Sequence, residues 1–244
     1  MSSSIVVYLG KGGQREMAES FSRKNNIPMV DSPGEELTLI FDAHGVSLSG
    51  FGLSYQGDFE NMLRRVTNGR LAHEMLVRAA KTDKSAPRAI DAAAGMGEDG
   101  FLLAAYGYEV TLCERNPVIA ALLKDSLRRA KKNPALRDIA ARMTLHEGDS
   151  IEFMAKQMDP TDVIYLDPMF PERQKSGLIN KKLQLIQKLE APCSAETDLF
   201  DAALSAQPSR IIVKRPLKSP RLAGREPTYS LNGKAIRYDC YVIT

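Results

Sequence analysis

The sequence predicts an α/β protein whose larger part is a doubly wound, mostly parallel sheet, preceded by a small α+β unit. Three observations support this prediction. From residue 88 onward, short apolar runs alternate with segments of helical period, which is typical of consecutive β-α-β units. A glycine-rich turn at residues 95–100 follows the first of these runs, where a doubly wound sheet forms its ligand site. The first sixty or so residues instead contain a strand pattern, a helix pattern and a hairpin pattern.

The N-terminal unit is predicted to cover residues 1–62, and the larger domain residues 63–244. In the N-terminal unit the apolar pattern predicts a strand, a helix and a two-stranded hairpin, at residues 4–9, 14–25, 37–41 and 46–51. In the larger domain the predicted strands are residues 89–92, 109–113, 143–146, 163–166, 210–214 and 235–243. The predicted helices there are residues 71–81, 99–106, 117–131, 150–157, 183–189 and 196–205. Pro117 suits the first turn of its helix, where no intrahelical N–H is needed.

Composition narrows the class of protein. The chain has 244 residues, of which 43% are apolar, enough for a sizeable core. No stretch approaches the roughly 18 apolar residues of a membrane helix, and residues 1–4 lack the character of a signal peptide. The three cysteines and three histidines form no zinc or disulfide pattern. We therefore expect a soluble, cytoplasmic protein without a metal, and a net charge of +3 alone indicates no nucleic-acid partner.

The glycine turn admits two interpretations. Gly95, Gly97 and Gly100 match G-x-G-x-x-G, with Glu114 at the distance of a ribose-binding acid, which is the fingerprint of a dinucleotide site. The same turn follows Asp91 in the pattern D-x-x-x-G-x-G, which resembles motif I of the class I S-adenosylmethionine (SAM)-dependent methyltransferases.

Charge separates these two interpretations. A pyrophosphate would approach the helix N-terminus as an anion, yet Asp91, Glu98 and Asp99 surround that position with negative charge. SAM carries a sulfonium and an ammonium group with only one carboxylate, so acidic residues are tolerable there. The sequence favours SAM, and a nicotinamide-dependent oxidoreductase remains the alternative.

Further polar residues end the next two predicted strands. Glu114, with Arg115 beside it, ends the second strand, where a carboxylate can accept hydrogen bonds from a ribose diol. Asp149 and Ser150 follow the third strand, and Asp149 resembles the acid that faces the adenine amino group in the methyltransferase fold. Either residue could instead simply cap the helix that follows.

Residues 164–171, Ile-Tyr-Leu-Asp-Pro-Met-Phe-Pro, form the most informative segment. An apolar strand ends at Asp167, and Pro168 and Pro171 restrict the backbone around Phe170. The carboxylate can accept a hydrogen bond from an exocyclic amine while the aromatic ring stacks on a base. Enzymes that methylate amino groups carry [DN]-P-P-[YFW] at this point, with Met169 here in place of the second proline. An ordinary Asp-Pro turn with Phe170 in the core is the alternative.

Four segments together, residues 91–97, 114–117, 165–171 and 213–216, resemble ribosomal RNA small subunit methyltransferase J, a bacterial family that methylates the N2 amine of a guanine in small-subunit ribosomal RNA. The resemblance covers about residues 65–244. It implies a class I methyltransferase domain at residues 63–244, SAM as cofactor, and no metal. Family members carry an Arg-Asp pair where this chain has Glu98 and Asp99, so the role of Glu98 is open. Variants of the same chemistry would methylate adenine N6 or a glutamine amide.

The resemblance and the strand-end positions give the candidate residues. The predicted catalytic residues are Asp167, Pro168 and Phe170. The predicted cofactor-binding residues are Asp91, Gly95, Gly97, Glu98, Asp99, Glu114, Arg115, Asp149, Ser150 and Asp167. Basic residues flank the expected base pocket, and we predict that five of them contact RNA phosphates: Arg173, Lys175, Lys214, Arg215 and Lys218. The expected partner is 16S ribosomal RNA, free or in the small subunit; an ordinary solvated surface is the alternative.

Overall fold

The computed structural model describes residues 5–34, 36–157, 160–168, 185, 189 and 196–243. Its N-terminal part is a five-stranded sheet of order β2-β1-β3-β4-β5, with one helix. The elements are β1 (Ile5–Leu9), α1 (Arg15–Asn25), β2 (Met29–Val30), β3 (Leu37–Asp42), β4 (Gly45–Gly50) and β5 (Leu53–Tyr55). The predicted strand, helix and hairpin are confirmed. Strands β2 and β5 were not predicted, because they are two and three residues long and carry almost no periodic signal.

A segment of short helices leads from this sheet into the larger domain. It contains 3-10 turns at Phe59–Met62 and Arg70–His73 and the helices α2 (Leu63–Val66) and α3 (Met75–Ala79). The single helix predicted for residues 71–81 is therefore wrong in part. Glu74 interrupts it with an extended backbone (φ −64°, ψ 127°), and Arg65 binds the Glu74 carboxylate through two hydrogen bonds of 2.8 Å.

The larger domain is a seven-stranded sheet of order β11-β12-β10-β9-β6-β7-β8. Its strands are β6 (Arg88–Asp91), β7 (Glu109–Glu114), β8 (Met143–Glu147), β9 (Val163–Leu166), β10 (Arg210–Pro216), β11 (Tyr229–Asn232) and β12 (Ile236–Val242). Its helices are α4 (Glu98–Tyr106), α5 (Pro117–Ala130), α6 (Arg137–Ala140), α7 (Ser150–Lys156) and α8 (Glu196–Ser205). Strand β12 is antiparallel to both of its neighbours, and the strands from β6 to β10 pair in parallel.

This arrangement confirms the predicted doubly wound, mostly parallel sheet. The short elements α6 and β11 were not predicted, and the helix predicted at residues 183–189 lies outside the described residues except for two positions. Every residue of β9 is buried, as expected for a central strand covered on both faces.

Helix α5 lies between the two sheets. Its residues Val118, Ile119 and Leu122 pack with the apolar core of the N-terminal sheet. Leu123 and Leu127 belong to the core of the larger domain. The two units therefore share this helix.

The chain enters the core of the larger domain at Phe59 and Met62, before the boundary that we predicted at residue 62. Both side chains are buried there, and the Phe59 ring stacks on Phe101 with 5.1 Å between centroids. Within the described residues, no helix combines the length and apolarity needed to cross a membrane. The same residues contain no group of three or more His, Cys, Asp or Glu side chains placed to hold a metal ion.

Candidate active site

The predicted acids meet at one edge of the larger sheet. Asp91 is the last residue of β6, Glu114 is the last residue of β7, and Asp167 directly follows β9. Because β6 pairs in parallel with both β7 and β9, the carboxyl ends of the three strands lie side by side. Strand β10 joins this edge through β9, and Lys214 lies one position beyond the pair Val213–Leu166. We call this edge, with its adjoining loops, the active-site edge.

The glycine turn between β6 and α4 is tied to the end of β7. Gly95 and Gly97 adopt left-handed backbone conformations (φ 52° and 76°), which favour glycine. A side chain at Gly97 would also come within 2.8 Å of Leu123. The Gly95 N–H donates to Glu114 Oε2 at 3.0 Å. The turn is thus fixed around the Glu114 carboxylate.

Glu114 is a buried carboxylate with capacity for further donors. Its Oε1 accepts a second backbone hydrogen bond, from Asn116 N at 2.7 Å. Burial raises the pKa of Glu114, while the backbone bonds from Asn116 and Gly95 oppose the shift. A backbone hydrogen bond from Arg115 also lowers the pKa of Glu114, so of the roughly four lone pairs of the carboxylate about one is left for a hydroxyl group of a ligand.

Asp91 is almost completely buried, with 1% of its surface exposed. Burial, and next the charge of Asp99, raises its pKa to about 8. The hydrogen bond that its Oδ1 accepts from Ala93 N is long, at 3.4 Å. Gly100 lets α4 approach this position, because a Cβ there would lie 3.2 Å from Asp91 Oδ2 and 2.3 Å from Leu112. Asp91 can therefore accept a hydrogen bond from a cationic ligand group that replaces its lost hydration.

Lys214 bridges two of the predicted acids. Its Nζ lies 2.8 Å from Asp99 Oδ2 and 2.9 Å from Asp167 Oδ2. The Tyr165 hydroxyl donates to the same Asp99 oxygen at 2.6 Å. Burial by itself lowers the pKa of Lys214, but the charges of Asp99 and Asp167 outweigh it and raise the pKa above its ordinary value. Lys214 therefore stays charged and holds the two carboxylates in place.

This geometry corrects the predicted RNA contacts at Lys214 and Arg215. Lys214 is occupied by acids inside the site. Arg215 is 3% exposed, its Nη1 lies 3.1 Å from Glu196 Oε1, and its Nε donates to Pro220 O at 2.9 Å. Lys218 is exposed, so its predicted role stays open.

Asp149 caps α7, as the alternative interpretation allowed. Its Oδ1 accepts hydrogen bonds from Ile151 N at 2.8 Å and Glu152 N at 3.4 Å, and Ser150 is the first residue of the helix. A contact with adenine remains a prediction for both Asp149 and Ser150.

The remaining predicted residues are placed as follows. Glu98 begins α4 with an exposed side chain, and Arg115 is exposed beyond the end of β7. Pro168, the next residue after Asp167, is buried. Phe170, Arg173 and Lys175 lie outside the described residues.

The bridging role of Lys214 and the part of Tyr165 were not predicted from the sequence. A usable signal was present, because Lys214 follows the apolar run 211–213 just as Asp167 follows the run 163–166. When two parallel strands are neighbours in a sheet, the residues that follow them lie at the same edge of the sheet. This holds for basic residues as well as for acidic ones.

Known proteins match the chain over most of its length. Residues 29–243 match the family model described as "Putative SAM-dependent methyltransferase". Ribosomal RNA small subunit methyltransferase J of Marinobacter nauticus is 42% identical over 217 residues, covering 85% of this chain and 78% of the relative. The protein of that name from Thioalkalivibrio sulfidiphilus is 39% identical over 238 residues, covering 93% of each chain.

A crystal structure also matches. That of a SAM-dependent methyltransferase from Neisseria gonorrhoeae has a TM-score of 0.78 and 30% sequence identity, covering 97% of this chain and 95% of its own. The comparisons give no support to the nicotinamide alternative.

Proposed function

Because the chain belongs to the ribosomal RNA small subunit methyltransferase J family of SAM-dependent methyltransferases, we propose that it methylates the exocyclic N2 amine of a guanine in 16S ribosomal RNA. The position of the Asp167 carboxylate is the observation that supports this proposal most directly. The carboxylate follows the buried strand β9, beside the acids of the glycine turn, and Lys214 holds it at 2.9 Å.

The acids at the ends of β6 and β7 suit the cofactor. Bound SAM supplies a methyl group already activated by the sulfonium. Glu114, with acceptor capacity left beside its backbone hydrogen bonds, would accept a ribose hydroxyl. The buried Asp91 would accept the ammonium group, and Asp149 would face the adenine amine with the part of its carboxylate that the helix cap leaves open.

The acceptor amine needs positioning more than activation by a strong base. The lone pair of guanine N2 is delocalised into the ring, so the neutral amine is a weak nucleophile. Asp167 would accept an amine hydrogen, localise that lone pair and hold the nitrogen near the methyl group. Lys214 would hold the Asp167 carboxylate in its orientation, and the buried Pro168 limits movement of the backbone beside it. Phe170 is proposed to stack on the extruded base.

The same hydrogen bond could serve adenine N6 or a glutamine amide. Two considerations favour guanine in ribosomal RNA. The relatives that match most of the chain carry the name of a ribosomal RNA methyltransferase. The Asp-Pro-Met-Phe-Pro and Lys-Arg-Pro segments resemble the family that acts on guanine N2. An enzyme with this substrate would act in the cytoplasm, on free 16S RNA or on the assembled subunit.

Substitution of Asp167 by Asn tests the proposal. The amide keeps the size and one carbonyl acceptor, but it removes the charge that strengthens hydrogen bonds from the amine. We expect turnover to fall by roughly 100-fold or more, much more than the affinity for S-adenosylhomocysteine falls. Transfer of labelled methyl to 16S RNA and to small subunits measures turnover, and nucleoside mass spectrometry identifies the product.

Asp138→Asn is the matched control, since Asp138 is 83% exposed. Turnover near the wild-type value in Asp167→Asn would end the amino-methyltransferase interpretation of this site. A methylated nucleoside other than N2-methylguanosine would keep the enzyme class but refute the proposed acceptor.

A further inference from the structure

Three segments form one continuous surface at the active-site edge. Gly233, in the turn between β11 and β12, lies so close to Met75 that a Cβ would come within 2.9 Å of its sulfur. The Leu217 N–H, in the loop after β10, donates to Ala235 O of the same turn at 3.0 Å. The turn 233–235 therefore joins the helical segment 63–75 on one side to the loop 216–220 on the other.

This surface adjoins the acids of the active site. The loop 216–220 begins two residues after Lys214, which binds Asp167. On the other side, hydrogen bonding to Glu74 is the main cause that raises the pKa of Arg65, and the charges of Asp99 and Glu98 also contribute. Segment 63–75 is thus within electrostatic reach of the glycine turn.

The loop 216–220 is held in one conformation by Arg237. This side chain is 5% exposed, and its guanidinium donates to four backbone carbonyls of the loop. The bonds run from Nη1 to Pro216 O (3.0 Å) and Leu217 O (2.7 Å), and from Nη2 to Ser219 O (3.0 Å) and Pro220 O (3.3 Å). Lys218, at the centre of the loop, therefore has a fixed backbone. A ligand that binds Lys218 would not lose free energy by ordering the loop.

Four exposed basic side chains occur along this surface: Arg64, Arg70, Lys218 and Lys234. None of them forms an ion pair with an acid among the residues that the structure describes. The stretches 61–73, 215–225 and 227–238 contain no acidic residue. Basic side chains elsewhere are often neutralised; for example, Lys24 and Lys124 both contact Glu147 at 2.9 and 2.6 Å. We call the four residues the basic rim.

From this arrangement we infer that the basic rim binds phosphates of the RNA strand beside the target nucleotide. The inference rests on the proposed function and extends it to residues that no comparison assigns. The acids of the active site repel a polyanion, so an RNA that delivers a base to Asp167 needs compensating cations close by. The rim supplies them on the β10–β12 side of the site, where Lys214 and Arg215 are internally paired.

Two double variants test the rim in the full-length protein: Lys218→Gln with Lys234→Gln, and Arg64→Gln with Arg70→Gln. Fluorescence anisotropy with a fluorescein-labelled single-stranded RNA of mixed sequence gives the affinity at several salt concentrations. Each phosphate that the variant no longer binds should reduce the slope of log affinity against log salt by about 0.7. For two such phosphates, the wild type should lose about sevenfold more affinity than the variant between about 50 and about 200 mM salt.

Lys131→Gln with Lys132→Gln is the matched control. Both residues are exposed at the carboxyl-terminal end of α5, which starts at the active-site edge and runs away from it. The control should retain the wild-type slope. Equal slopes for the rim variants and the control would overturn the inference.

Three further measurements separate this inference from the proposed function. The affinity for S-adenosylhomocysteine and the melting temperature of the rim variants should match the wild type, because all four side chains are exposed. Methyl transfer by the wild type to 16S RNA is measured independently. Its absence would refute the proposed function, whereas reduced slopes in the rim variants would still support an RNA-binding surface.

Discussion

Replacement of Lys214 by Met would remove the cation that neutralises Asp99 and Asp167. Lys214 contacts Asp99 and Asp167 at 2.8 and 2.9 Å, and its charge also lowers the pKa of Asp91. Removal of one partner from a buried ion pair costs roughly 3–5 kcal/mol. The side chains of Lys214, Asp99 and Asp167 are 23%, 18% and 22% exposed, so we expect the low end, about 3 kcal/mol.

For a chain of this size, that loss corresponds to a fall in melting temperature of roughly 6–12 °C. The deficit should depend on pH. Within this cluster of acids Lys214 lowers the pKa of Asp91, so without Lys214 that pKa lies further above its ordinary value, and the folded state binds the Asp91 proton still more readily than the unfolded state does. Folding stability falls with rising pH under that condition. The melting temperature of Lys214→Met should therefore lie further below the wild type at about pH 8.5 than at about pH 5.5.

Differential scanning fluorimetry at the two pH values, with methyl transfer measured in parallel, provides the assay. Turnover should fall roughly 100-fold because Asp167 is no longer held. Lys218→Met, an exposed lysine on the adjoining loop, should change stability by less than about 0.5 kcal/mol. A deficit of the same size at both pH values, or no deficit, would refute the reasoning that Lys214 neutralises this cluster.

Two other acids give separate predictions. Glu114→Ala should raise the dissociation constant for S-adenosylhomocysteine, measured by calorimetry, more than tenfold, because a charge-assisted hydrogen bond contributes roughly 1.5–3 kcal/mol. Glu109→Ala, at the exposed start of the same strand, is the control. An unchanged dissociation constant in folded Glu114→Ala would exclude a ribose contact. Folding raises the pKa of Asp91 from 3.8 to about 8, so in this range the unfolded state loses its proton first and wild-type stability falls as pH rises. The Asp91→Asn variant has no carboxyl group to titrate at this position, so the difference between its melting temperature and that of the wild type should shift in favour of the variant between about pH 5 and 8 and then level off. A difference in melting temperature that does not depend on pH would contradict the raised pKa of Asp91.

The order of strands and helices could be predicted because buried strands and amphipathic helices differ in period. The same reasoning brought Asp91, Glu114 and Asp167 to one edge, since each directly ends a buried strand. Charge pairing could not be predicted in this way. Lys214 lies 47 residues from Asp167 and 115 residues from Asp99 in the sequence, and its basic neighbours suggested a phosphate contact instead. Only the tertiary fold shows that the amino group turns inward to the acids while Lys218 remains outside.

The shared helix α5 has a consequence for how the protein unfolds. Its apolar residues serve two cores at once, and the hairpin turn of the N-terminal sheet touches its polar side, since a Cβ at Gly45 would lie 2.3 Å from Asp125. A fragment that began at residue 63 would expose Val118, Ile119 and Leu122 to water. We expect such a fragment to aggregate, because these side chains would form an exposed apolar patch. Denaturation should therefore occur as a single cooperative transition rather than in two steps, although the sequence reads as two units.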